Sequence, residues 1–158
     1  MDRKLKMLLD SEGVRYERIP HAQTFTAMET AESAHVPGRE MAKAVMLRVD
    51  GELTMAVVPA TRQVDLDRLR GVAGARTVEM AREREFADLF PDCERGAMPP
   101  FGNLYGIRVF ADDTLREDDQ IAFNDGTHDE VTRMSCRDFE RLVRPVVGPI
   151  SEPWAADA

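Results

Sequence analysis

Apolar and polar positions along the chain follow two periods, and these separate predicted helices from predicted strands. Leucines recur at helical spacing within residues 3–12, and Gly13 follows as a C-terminal cap. Residues 14–19 alternate apolar and polar side chains, which is typical of a strand, and Pro20 ends it. The chain therefore opens with a predicted helix followed by a predicted strand.

Two hairpins give the clearest strand signals. Residues 42–49 and 52–59 are apolar or β-branched runs joined by Asp50–Gly51, a pair suited to a type I′ turn. These runs are too apolar for simple alternation, so we expect both faces to be buried. Residues 120–123 and 130–134 flank a turn of sequence NDGT and predict a second hairpin.

Residues that cap helix ends predict the positions of the helices. Thr26 and Glu29 match the capping-box pattern and predict a helix that continues to about His35. Further helices are predicted at residues 65–69, 83–90 and 135–144, and further short strands at 77–80 and 105–110. Strands outnumber helices and come largely in hairpins. The sequence therefore predicts a single α+β domain over residues 1–147 with a mainly antiparallel sheet, followed by a flexible tail over 148–158.

The composition excludes several classes of function. A net charge of -8 argues against a basic surface for duplex DNA or RNA, although contact with the end of an RNA chain is compatible with it. Two cysteines and three histidines, all far apart, predict free thiols and no metal site. No apolar run approaches the roughly 20 residues of a membrane span, and no signal peptide is evident, so we expect a cytoplasmic protein.

Lys43 is the most unusual residue of the first hairpin. It starts an apolar strand within the sequence MAKAVML, and an ammonium group is costly to bury without a partner. One interpretation places it at the frayed strand end, where its side chain reaches water. The other interpretation makes it a cation at a pocket mouth, able to hold a phosphate, a carboxylate or a polarised carbonyl oxygen.

A second unusual stretch, ERGAMPPFGNLYG, occupies residues 94–106. Its glycines and paired prolines exclude a helix, yet it carries apolar side chains. It is either a structural loop or a rigid wall of a binding site. His128, at the mouth of the second hairpin, is either a turn stabiliser or a titratable group near neutral pH. No Ser-His-Asp or Cys-His constellation is readable.

The order of these pieces resembles the YbaK/ProX family of aminoacyl-tRNA editing domains, from about His21 to Pro145. Lys43 in its apolar strand and a G-x-x-x-P motif, formed by Gly96 and Pro100, carry the resemblance. It implies a mixed, barrel-like sheet surrounded by helices, and hydrolysis of the ester of a mischarged tRNA without a metal or cofactor. Members of the family are free-standing enzymes or insertions in prolyl-tRNA synthetase.

The resemblance also implies a site. Lys43 would be the catalytic residue, holding the terminal adenosine or the carbonyl region of the substrate. The substrate-binding residues would be Gly96, Ala97, Met98, Pro99, Pro100, Phe101 and His128. Family members that remove alanine have an asparagine after the lysine, whereas this chain has Ala44, so the amino acid removed stays open.

Three hypotheses follow. The first is a free-standing deacylase that acts in trans on the 3′ end of a mischarged tRNA, which it reaches either alone or through a synthetase or another recruiting protein. The second is a non-catalytic module that binds an aminoacyl compound or a nucleotide in the same pocket. The third is hydrolysis of a small-molecule ester. Loss of deacylation in a Lys43→Ala variant would separate the first from the second.

Overall fold

The computed structural model describes residues 1–154, which form strands β1–β10 and helices α1–α5. The strands are β1 (Tyr16–Pro20), β2 (Met41–Val49), β3 (Glu52–Pro59), β4 (Arg62–Val64), β5 (Val78–Met80), β6 (Arg108–Asp112), β7 (Gln120–Asn124), β8 (Glu130–Ser135), β9 (Val146–Gly148) and β10 (Ser151–Pro153). The helices are α1 (Arg3–Ser11), α2 (Ala27–Ser33), α3 (Leu66–Ala73), α4 (Glu83–Phe86) and α5 (Cys136–Val143), with 3-10 turns at Ala87–Leu89, Gly102–Tyr105 and Asp113–Glu117.

The main sheet follows the strand order β1-β8-β7-β2-β3-β6-β9, and β5 adds to the side of β2. Three of its pairings are parallel, β2 with β7, β3 with β6 and β6 with β9, and the others are antiparallel. The predicted α+β class with a mixed, mainly antiparallel sheet is therefore confirmed. Within the described residues β1 and β9 end the path without pairing to each other, so the sheet is open and does not form the closed barrel that the resemblance suggested.

The central hairpin forms as its turn residues predict. Asp50 and Gly51 both have positive φ, 50° and 83°, as a type I′ turn requires. The Asp50 carboxylate also accepts hydrogen bonds from the backbone N–H groups of Arg76 and Thr77, each at 2.9 Å. These bonds bring β5 against the end of β2.

Strand β2 has a divided edge. Its first residues, Met41 and Ala42, pair with β7, and Leu47–Val49 pair with β5. Between these two ladders, residues 43–46 are paired in the sheet with β3. Lys43 therefore lies where β7 and β5 separate, at an opening in the sheet rather than in its continuous part.

The sheet buries apolar side chains on both faces. One face carries the largest cluster, which packs against α1 and α5. On the other face, α2 packs over Met41 and its neighbours, while α3 packs over Leu47 and its neighbours. Because side chains alternate along a strand, Lys43 shares the face of Met41 and Leu47. It therefore lies between the α2 cluster and the α3 cluster.

Several predicted boundaries differ from the structure. The predicted helix over residues 83–90 changes from α4 into a 3-10 turn after Phe86. The strand predicted from Tyr105 begins at Arg108, because residues 102–105 form another 3-10 turn that ends at Gly106 with positive φ. The capping box of Thr26 and Glu29 forms as predicted.

The segment from Gly148, predicted to be a flexible tail, is instead part of the fold through Trp154. Strand β10 pairs with β4, and Ile150 is fully buried in the α3 cluster. The proline and alanine content suggested fraying, but the apolar burial of Ile150 outweighs it. Residues 155–158 of the predicted tail lie outside the described residues. Among residues 1–154, no helix combines the length and apolar character that crossing a membrane requires.

Candidate active site

Lys43 lies half-buried at the opening in the sheet. Burial lowers the pKa of its ammonium group. Within residues 1–154 it forms no ion pair, and its Nζ lies 4.2 Å from the centre of the Trp154 ring. A half-buried cation over an aromatic face, without an acidic partner, retains its capacity to bind an anionic or polarised oxygen.

The turn that follows β7 is the nearest neighbouring segment in the sheet. The parallel register pairs Ala42 with Phe123, so Lys43 is level with Asn124. The side-chain carbonyl oxygen of Asn124 is buried and has no hydrogen-bond partner in the described part of the chain. An unpaired buried oxygen is costly unless a ligand or water satisfies it. Asn124 thus adds a buried, unpaired acceptor at the end of β7, one residue beyond the last β2–β7 pair.

His128 ends the same turn and contacts the glycine-proline loop. Its Nε2 lies 2.6 Å from the carbonyl oxygen of Arg95, which can only accept, so Nε2 carries the proton. The other ring nitrogen, Nδ1, is buried and has no partner within residues 1–154. The backbone N–H of Glu94 donates to the carbonyl oxygen of Gly126 at 2.7 Å, and this bond holds the glycine-proline loop against the turn that follows β7. His128 therefore offers a hydrogen-bond acceptor at Nδ1 in its neutral form.

Gly96 is the part of the loop that reaches the surface beside His128. Its φ is +78°, a conformation that favours glycine. A Cβ atom placed on Gly96 would lie 3.7 Å from His128 Cε1, in ordinary contact. The exposed ring of Phe25 lies on the histidine, with 6.0 Å between ring centres. The fold thus brings Gly96 and His128 together.

The rest of the loop is buried to different degrees. Met98 is half-buried, Pro99 and Pro100 are buried, and Ala97 is fully buried. Phe101, predicted to contact the substrate, instead packs in the core, with its ring centre 5.5 Å from those of Phe123 and Phe139. The apolar side chains after Gly96 thus anchor the loop, and Phe101 is a core residue rather than a pocket residue.

The cavity inside the loop is too small for an amino-acid side chain. It measures about 20 Å³ and lies between Met98, Cys93 and the residues of α4. That volume holds about one water molecule. The cavity beside Gly96 is therefore not an aminoacyl pocket.

Other grooves lie away from these residues. A groove of about 750 Å³ runs between the α1–β1 connection and the start of α5, and none of the predicted site residues lines it. No group of three or more histidine, cysteine, aspartate or glutamate side chains within residues 1–154 is arranged to hold a metal ion.

Sequence reasoning missed three residues near the site. Asn124 was treated as a turn former, and Trp154 was placed in the tail. The third is His21, whose backbone N–H donates to the carbonyl oxygen of Asp129 beside the His128 turn and whose Nε2 is buried without a partner in residues 1–154. An apolar aromatic near the end of a polar segment was the one signal that pointed to Trp154.

Comparison with known proteins places the chain among editing domains. The family model described as the aminoacyl-tRNA editing domain matches residues 21–142. The chain is 26% identical over 121 residues to the proline–tRNA ligase of Staphylococcus haemolyticus, covering 75% of this chain and 21% of the ligase. It is 33% identical over 96 residues to that of Streptomyces coelicolor, covering 61% and 17%. The chain therefore spans about a fifth of the length of these relatives.

Two solved structures share the fold. A hypothetical protein, APE2540, superposes with a TM-score of 0.83 at 22% identity, covering 95% of this chain and 100% of that chain. A protein assigned provisionally as a trans-editing enzyme for prolyl-tRNA synthetase superposes with a TM-score of 0.80 at 19% identity, covering 96% of both chains. At these identities the likeness establishes the fold alone.

Proposed function

The chain belongs to the aminoacyl-tRNA editing domain family, and we propose that it hydrolyses the ester of a mischarged aminoacyl-tRNA in trans. One structural observation carries this proposal beyond the family match. Lys43 is a half-buried ammonium with no acidic partner within residues 1–154, level in the sheet with the unpaired oxygen of Asn124. Such a group binds the oxygens of a substrate instead of stabilising the fold through a salt bridge.

The proposed reaction needs little chemical activation from the protein. The aminoacyl ester is already reactive, so positioning supplies much of the acceleration. A water molecule, oriented by the site or by the vicinal ribose hydroxyl, attacks the carbonyl carbon and gives up a proton. The ester C–O bond to the ribose then breaks as the ribose oxygen takes up a proton, which releases the free amino acid and the uncharged tRNA. Lys43 stabilises the negative charge that develops on the carbonyl oxygen or holds the terminal phosphate.

His128 and Gly96 complete the proposed site. The unpaired Nδ1 of His128 accepts a hydrogen bond from the attacking water or from the substrate amino group. The exposed backbone of Gly96 lies against the same ring and forms part of the proposed wall of the site. Ala97, Met98, Pro99 and Pro100 act indirectly in this proposal, because they hold the loop in place.

The proposed partner is the single-stranded 3′ end of the tRNA. A net charge of -8 opposes broad phosphate contact, so the protein binds the tRNA end weakly by itself. A synthetase or another recruiting protein would raise the local tRNA concentration. The similarity to parts of proline–tRNA ligases makes the prolyl-tRNA synthetase system the first partner to test.

A deacylation screen tests the proposal. Purified protein is incubated with proline tRNA and other tRNAs charged with alanine, serine, threonine or cysteine, and release of amino acid is followed. We expect turnover of at least one substrate and a loss of at least about a hundredfold in the Lys43→Ala variant, in line with removal of one charge-stabilising donor.

The matched control is Lys6→Ala, which removes an exposed lysine that is paired with Asp10 on α1. This variant should retain full activity. If no tRNA in the panel is deacylated, the proposed activity is wrong and the binding-module hypothesis is favoured. If Lys43→Ala keeps wild-type turnover, the role assigned to the lysine is wrong.

A further inference from the structure

We propose that Trp154 is a positioning residue for Lys43, whose indole ring holds the ammonium group charged and in place while leaving its N–H donors to the substrate. This inference rests on the proposed function, because it assigns a role to the lysine of the same site. It concerns a residue outside residues 21–142, the part of the chain that the family model matches.

The ring is fixed by the C-terminal strand. The indole N–H of Trp154 donates to the carbonyl oxygen of Ala60 at 3.1 Å, at the end of the β2–β3 hairpin. The preceding strand β10 pairs with β4, and Arg62 Nε donates to Ser151 Oγ at 2.6 Å. An aromatic ring held by its own N–H and by the strand before it keeps a constant orientation, which positioning requires.

The surroundings of Lys43 leave the ring as its main stabilising neighbour. The adjacent strand β3 presents Val58, and the end of β7 presents the neutral Asn124. Within residues 1–154 no charged side chain contributes to the pKa of Lys43, which burial lowers. A cation 4.2 Å from the centre of a tryptophan ring is attracted to the π face and so resists deprotonation.

An aromatic partner differs from an acidic one in what it leaves free. A carboxylate would stabilise the ammonium but would occupy its donors and compete with an anionic substrate group. The ring attracts the charge through its quadrupole and provides no strong directional acceptor. Lys43 can therefore remain protonated in a half-buried position and still donate to a phosphate or a carbonyl oxygen.

The first measurement is the pKa of Lys43 itself, independent of any enzymatic activity. The chain has three lysines, Lys4, Lys6 and Lys43, so reductive methylation with 13C-formaldehyde gives few NMR signals. The Lys43→Arg variant identifies the signal of Lys43. We expect Trp154→Leu to lower the pKa of Lys43 by about one pH unit, a tenfold change in proton affinity that equals about 1.4 kcal/mol.

Two further variants serve as controls. Trp154→Phe keeps an aromatic face and should restore most of the pKa. Ser151→Ala removes the bond from Arg62 that helps to hold β10 but keeps the ring and its own bond to Ala60, so the pKa of Lys43 should fall by clearly less than in Trp154→Leu. An unchanged pKa in Trp154→Leu, or an equal fall in Ser151→Ala, would overturn the proposal, because the strand rather than the ring would then be responsible.

The second measurement is the pH dependence of kcat/KM, corrected for spontaneous ester hydrolysis. Activity should fall as pH rises through the pKa of Lys43, and this fall should occur at lower pH in Trp154→Leu, with roughly a fivefold loss at the wild-type midpoint. Trp154→Phe should restore the profile. An activity loss in Trp154→Leu without any shift of the profile would mean that the ring contacts the substrate directly, which contradicts the proposal. Should the wild type show no deacylation, the NMR titration still decides the inference while the proposed function fails.

Discussion

Replacement of Asp125 by asparagine should change how the stability of the fold depends on pH. Asp125 lies in the turn between β7 and β8, which also carries His128, and is fully buried. Its Oδ2 accepts a hydrogen bond from Thr132 Oγ1 at 2.6 Å, while Oδ1 has no partner within residues 1–154. Burial, helped by the neighbouring carboxylate of Glu130, raises the pKa of Asp125 to about 6.

The raised pKa of Asp125 makes the fold more stable at low pH than at high pH. Because the pKa in the fold exceeds the ordinary value of about 3.9 for aspartate, the fold binds the proton more tightly than the unfolded chain does. The stabilisation is complete below about pH 3.9 and is lost as pH rises through 6. The difference amounts to about 3 kcal/mol, since one pH unit is worth about 1.4 kcal/mol.

Asparagine reproduces the protonated acid at this position. Its amide oxygen can accept from Thr132, and its amide N–H can donate toward Glu130, which Arg18 pairs with at 2.9 Å. We therefore expect Asp125→Asn to match the wild type near pH 4 and to be more stable by up to about 3 kcal/mol near pH 8. For a chain of this size that corresponds to a rise in Tm of about 6–12 °C.

Urea unfolding from pH 4 to pH 8.5, followed by circular dichroism, measures the effect as the difference between variant and wild type. Other titrating groups largely cancel in this difference. Asp88→Asn, at an exposed position, makes the same charge change and should give a difference that is flat with pH. A flat difference for Asp125→Asn as well would refute the reasoning, because Asp125 would then not be a buried, proton-binding carboxyl.

Two further predictions concern the glycine-proline loop. Phe101→Ala should lower the free energy of unfolding by about 3–5 kcal/mol, since it removes a fully buried ring, while Phe101→Leu should cost less and keep full deacylation at low temperature. Loss of activity in a stably folded Phe101→Leu variant would show instead that Phe101 contacts the substrate. Gly96→Ala and Gly106→Ala place alanine at φ +78° and +71°, so each should cost about 1–2 kcal/mol in thermal unfolding. Deacylation should fall only in Gly96→Ala, and an equal fall in both would remove Gly96 from the site.

Local signals predicted the parts of the fold that neighbouring residues control. Asp50 and Gly51 adopt the two positive φ angles that only a few residue types tolerate, and this sets the hairpin in which Lys43 lies. The side chain of Thr26 and the carboxylate of Glu29 cap α2 because their spacing matches one helical turn. The same kind of reasoning singled out Lys43, because an ammonium group within an apolar strand is costly to bury without a partner.

The sequence by itself thus determined the hairpins, the capped helices, the mixed α+β class and the residues with unusual chemistry. Tertiary structure decided which of them meet. From the sequence alone, each apolar side chain after Gly96 could face either a ligand or the core. Packing against Phe123 and Phe139 places Phe101 in the core. Trp154 reaches Lys43 because β10 pairs with β4, a contact between distant segments. Caps and turns are encoded within a few residues, whereas such contacts depend on how every element packs, so no local pattern could reveal them.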